Sequence, residues 1–96
     1  MKYYHRTSVS PDAVIARATA LFGARLAPTE TGLRALSFKG SLGSIRVDVA
    51  AEGGHYTLVT ILTDQPAESE LDRLGKRFLG EVHKMANPQH ELRGTY

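Results

Sequence analysis

Cysteine is missing from this 96-residue chain, which removes disulfides, thiolate nucleophiles and cysteine-held zinc from its available chemistry. It is compatible with a reducing compartment. Long apolar runs are missing too. No stretch approaches the roughly 20 residues that cross a bilayer as a helix, so no membrane span is expected. A strong charge of one sign is likewise absent, because twelve Lys and Arg stand against ten Asp and Glu for a formal net charge of +2. The pI of about 9.2 therefore arises without a basic block, and charge alone does not favour a nucleic-acid partner. Met1 to Arg6 shows no apolar run after Lys2, so no secretory signal is expected and the cytoplasm is the expected location.

Clustered metal ligands are also missing. His5, His55, His83 and His90 are the candidate ligands or acid–base groups, and the sequence assigns them to a strand, a turn, a helix and a tail. No paired spacing brings them to one face, so neither a metal nor a cofactor is expected. Gly40-Ser41-Leu42-Gly43 is too short for a phosphate loop and leads into a strand instead of a helix. Ser8, Ser10 and Asp12 lack the strained nucleophile turn and oxyanion donors of acyl transfer. The expectation is a protein that is not an enzyme.

What is present reads as one α+β domain over residues 1–88 with a polar tail at 89–96. Lys2 to Val9 alternates as a first strand. Ser10-Pro11-Asp12 is a helix start, with Ser10 as N-cap and Pro11 in the first helical position. That helix runs to about Phe22 with the stripe Val14, Ile15, Ala18, Leu21 and Phe22. Arg25 to Thr31, interrupted by Pro28, suits only a short edge strand. Leu33 to Thr63 reads as a three-stranded meander. Glu68 to Asn87 reads as a second helix with the stripe Leu71, Leu74, Phe78, Val82 and Met85, in which Gly75 and Gly80 offer close approach to the sheet. The expected fold is two-layer α+β, an antiparallel sheet in β-α-β-β-β-β-α order with both helices on one face.

The meander allows a register to be written. A turn at Ser41-Leu42 sets Phe38 opposite Ile45 and Leu36 opposite Val47. A two-residue Gly53-Gly54 turn pairs Glu52 with His55, and sets Val49 opposite Leu58, Val47 opposite Thr60 and Ile45 opposite Leu62. Leu36, Phe38, Ile45, Val47, Val49, Tyr56, Leu58 and Leu62 then share the core face. The other face carries Ala35, Ser37, Arg46, Asp48, Thr57, Val59 and Ile61, less charged than a wetted antiparallel face should be. Those residues are the candidate partner-binding surface, for another protein or for a second copy in a homo-oligomer. It holds no aromatic stacking platform.

Two other sets are candidates. Tyr56, Thr60, Phe78 and Met85 would line a small-molecule site between sheet and second helix. Arg73, Lys76, Arg77 and Lys84 form a basic face on that helix, read either as a solvated surface or as a site for an acidic or phosphate-bearing partner.

The early His5, the helix from Ser10 to Phe22 and the string Phe38-Lys39-Gly40-Ser41-Leu42-Gly43 before alternating Ile45, Val47 and Val49 carry a resemblance. The chain resembles the helix-grip and TBP-like group of small domains, START-like in outline, and in layout the short polyhydroxyalkanoic-acid-system proteins. The resemblance implies an accessory or binding role and supplies no catalytic residues.

Overall fold

The computed structural model describes residues 1–87; the expected tail at 89–96, with His90, lies outside the described residues. The elements run β1 (Lys2–Thr7), α1 (Pro11–Gly23), β2 (Ala27–Thr31), β3 (Ala35–Gly40), β4 (Gly43–Glu52), β5 (Tyr56–Thr63) and α2 (Glu70–Ala86). The five strands form one antiparallel sheet in the order β1-β5-β4-β3-β2. The order and class are those expected from the sequence.

Both helices lie on one face. α1 buries Val14, Ala18 and Phe22 there, and α2 buries Leu71, Leu74, Phe78 and Val82. The rings of Phe22, Phe38 and Phe78 meet at the centre, with Phe22 lying 5.8 Å from Phe38 and 5.2 Å from Phe78 between centroids. Serine caps start both helices: the Ser10 side chain accepts from the Ala13 amide and the Ser69 side chain from the Asp72 amide. Gly75 faces the sheet, where an added Cβ would come 3.3 Å from Ile61 Cγ2, so α2 packs there more tightly than most side chains allow without a small shift of Ile61. Gly80 has no such neighbour, and its expected packing role does not hold.

The β3–β4 hairpin has the register read from sequence, with Leu36 opposite Val47 and Phe38 opposite Ile45. The β4–β5 hairpin does not. Glu52 pairs with Tyr56, so the loop is three residues, Gly53-Gly54-His55, with φ of 58° and 75° at the two glycines. Val49 pairs with Val59, Val47 with Ile61 and Ile45 with Thr63. One residue of slip turns every β5 side chain to the other face. Thr57, Val59 and Ile61 are therefore core residues, with Val59 and Ile61 wholly buried. Tyr56, Leu58, Thr60 and Leu62 stand on the face away from the helices.

The physical reason lies in β5 itself. Tyr56-Thr57-Leu58-Val59-Thr60-Ile61-Leu62-Thr63 has apolar residues at both parities and no charge. Neither face is marked as wet, and the strand's own pattern fits either register. β4 has no such freedom, because turning it would bury Arg46 and Asp48.

Candidate interaction face

The uncovered sheet face is built in rows from the pairings. One row runs Lys2, Leu62, Arg46, Ser37 and Glu30 across β1, β5, β4, β3 and β2. The next runs Tyr4, Thr60, Asp48 and Ala35, and a third runs Arg6, Leu58 and Ala50. The expected partner-binding residues Ala35, Ser37, Arg46 and Asp48 are on this face. Thr57, Val59 and Ile61 are not.

In their place stand larger residues. Tyr4 is 61% exposed, Tyr56 57% and Leu62 45%, with Leu58 half-buried between them. An antiparallel sheet with one wetted side ordinarily alternates to polar residues there, and Tyr4, Tyr56, Leu58 and Leu62 depart from that pattern. Two tyrosines on the face also correct the expectation that it holds no aromatic ring.

Its charges are tied to one another. Arg46 bonds Asp48 through Nε at 3.1 Å and Glu30 through Nη1 at 2.6 Å. The carboxylates, Asp48 first, push its guanidinium further into the charged form. Arg6 Nε donates to Glu52 at 2.7 Å, and the Lys2 ammonium stands 5.3 Å from the Tyr4 ring centroid. A shallow groove of about 350 Å³ continues the face toward the β3–β4 turn, beside Thr29, Lys39, Ser44 and Leu62.

The other sequence candidates separate. Of the small-molecule set, Phe78 is wholly buried in the core and Met85 is 41% exposed at the end of α2. Tyr56 and Thr60 lie across the sheet from both, so the four do not converge. On the basic helix face, Lys76 bonds Asp72 and Glu68, and Arg77 pairs with Glu81, which also binds Arg17. Arg73 and Lys84 are exposed. The face is thus largely occupied by its own carboxylates.

Two arrangements on the helix side were not legible in sequence. Asp72, a carboxylate in the first turn of α2, is wholly buried. The Tyr3 hydroxyl donates to its Oδ1 at 2.5 Å and the Glu68 amide to its Oδ2 at 3.0 Å. These bonds, Tyr3 first, hold the carboxyl below its ordinary range and push the phenol up. The second is a meeting of His5 on β1 with His83 on α2, edge to face at 6.3 Å between ring centroids. The expected scatter of the histidines does not hold for these two. No signal in the sequence could have paired them, since the contact depends on how α2 crosses β1. Among the described residues no group of three or more His, Asp or Glu is placed to hold a metal ion.

No protein-family model matches the chain, and no curated protein matches it. Among the described residues the chain is a two-layer α+β domain with one sheet face that no helix covers.

Proposed function

We propose that this chain is a non-enzymatic interaction protein that docks a protein partner on its open sheet face, over Tyr4, Leu58, Thr60 and Leu62. One observation carries the reading: large apolar side chains stand where a wetted sheet would carry polar ones. Interfaces concentrate their energy in a few such residues at the centre of the patch. The resemblance to accessory proteins points the same way. The earlier candidates Val59 and Ile61 drop out as contact residues because they hold the core.

Nucleic acid is the less supported reading. Stacking platforms now exist in Tyr4 and Tyr56, but Arg6 and Arg46 are each matched by carboxylates. A phosphate backbone needs cations in excess along its track.

Replacing Leu58 and Leu62 together with Asp tests the proposal. Neither side chain is in the core, so the far-ultraviolet spectrum and cooperative unfolding persist. A partner captured by covalent crosslinking in its own cell extract and retained by the native chain is lost by this variant, with affinity reduced on the order of a hundredfold. The same partner is kept by Arg73→Glu on the opposite side. Equal capture by the Asp variant overturns the reading.

A further inference from the structure

We propose that the outer edge of β1 takes an extended acidic segment of another protein as an added strand. The inference rests on the open-face reading above and names the partner's chemistry.

The direction of the β1 backbone groups follows from one pair of bonds. The Thr63 amide donates to the Met1 carbonyl at 2.9 Å and the Met1 nitrogen to the Thr63 carbonyl at 2.9 Å. In an antiparallel ladder such doubly bonded pairs alternate with unbonded ones. Tyr3, His5 and Thr7 therefore bond inward to β5, and the N–H and C=O groups of Lys2, Tyr4 and Arg6 point out of the sheet. Among the described residues β1 pairs with β5 alone.

The two edges of the sheet are not alike. β2 carries Pro28, which has no donor, and its register breaks between Pro28 and Glu30, two devices that blunt an edge. β1 keeps six consecutive pairs with β5, without proline or bulge. Among the described residues its outer edge is unpaired, and the three residues whose backbone groups point outward, Lys2, Tyr4 and Arg6, present their side chains on the open face.

Charge selects the occupant. A second copy added antiparallel, in the register that uses all three outward residues, sets Tyr4 opposite its own twin and Lys2 opposite Arg6 of the other copy. Those are like charges on one face, directly opposed, which destabilises the pair. A strand with acidic residues two positions either side of its centre sets carboxylates opposite Lys2 and Arg6 instead. Arg6 is already bonded to Glu52, but its side chain is 65% exposed, and an ion pair that open holds its partner weakly enough to exchange. Backbone bonds supply the affinity and the flanking charges the choice of sequence, as in other strand additions.

The probe is a capped heptapeptide, Thr-Glu-Thr-Val-Thr-Glu-Thr, with a control bearing Lys at both Glu positions, titrated into the full chain and followed by amide NMR. The acidic peptide shifts the amides of Lys2, Tyr4 and Arg6 downfield and slows their hydrogen exchange, and added salt weakens it. The Lys peptide does neither. Tyr4→Pro removes an outward donor that the native ladder does not use, so the chain folds while acidic-peptide affinity falls at least tenfold. If that variant does not fold, Lys2→Glu with Arg6→Glu serves, and it reverses the preference toward the Lys peptide. Equal binding of both peptides, or binding untouched by Tyr4→Pro, overturns the proposal. So does protection of the Lys2, Tyr4 and Arg6 amides without peptide: if it rises with protein concentration, a second copy fills the edge, and if it is constant, the chain itself does. These failures leave the open-face reading intact so long as the Leu58 and Leu62 variant still loses its partner.

Discussion

At the scale of single residues, His5 is the group whose chemistry the fold alters in a way a titration can read. Burial first, and the neighbouring His83 second, hold its imidazole below the ordinary value. The folded chain therefore takes up this proton at lower pH than the unfolded chain does. As pH falls below about 6.5, the unfolded state binds more protons and stability declines with it. The expected result is a His5 midpoint below about 6.5 in a carbon-detected histidine titration. Replacing His83 with Gln should raise that midpoint by the lesser part of the shift, since burial is the larger cause. His5→Gln should flatten the loss of stability on the acid side. A midpoint at or above the ordinary value contradicts the packing of His5 beneath α2. Asp72 works in the other direction, because bonds from Tyr3 and Glu68 favour its charged form. Its contribution is present above the ordinary carboxylate range and is lost as pH falls through its lowered folded value.

At the scale of elements, what could be read depended on whether a segment carried a mark of its own. α1 begins at Ser10 and Pro11, whose capping and fixed φ leave little choice, and it begins there in the structure. β3 and β4 have charges on one side only, and their register follows. β5 carries apolar residues on both sides and no charge, so only the length of the Gly53-Gly54-His55 loop decides which half is buried. Paired glycines suit a two-residue turn by composition, yet the chain uses three residues and the faces exchange. The candidate surface was thus half legible: Arg46 and Asp48 belong to it, and Val59 and Ile61 do not. The fold withstood the error because the element order is the same in either register. The observed register makes a test that the alternative reverses. Ile61→Ala should cost about 2–5 kcal/mol, the range for emptying a buried Ile position, whereas Leu62→Ala at the adjacent exposed position should cost less than about 1 kcal/mol. Urea unfolding of the two variants gives the order directly, and a larger loss for Leu62→Ala would restore the two-residue turn.

At the scale of the whole molecule, the two-layer build leaves a plate, 35 × 30 × 21 Å along its principal axes, with helices on one broad side and, among the described residues, none on the other. Five strands about 4.8 Å apart, of 6, 5, 6, 10 and 8 residues at about 3.3 Å each, give a sheet footprint of about 550 Å². Two copies placed face to face would bury roughly 1,100 Å² in total, close to the floor for a specific interface. That arrangement also sets each copy's tethered Arg46, Asp48 and Glu30 against an equally self-satisfied set, so little charge remains to steer the pairing. A homodimer built on the face alone is accordingly weak, while a partner that covers the face and also adds a strand at β1 gains backbone bonds a second copy cannot make without opposing Lys2 to Arg6. The expected behaviour of the isolated chain is a particle of 10.5 kDa at protein concentrations up to on the order of 10 μM, with association only well above that. Sedimentation equilibrium over a concentration series measures this. A particle of twice the mass at the lowest concentration would make the open face a self-interface, and Leu58 and Leu62 would then be the residues whose replacement by Asp returns it to the monomer.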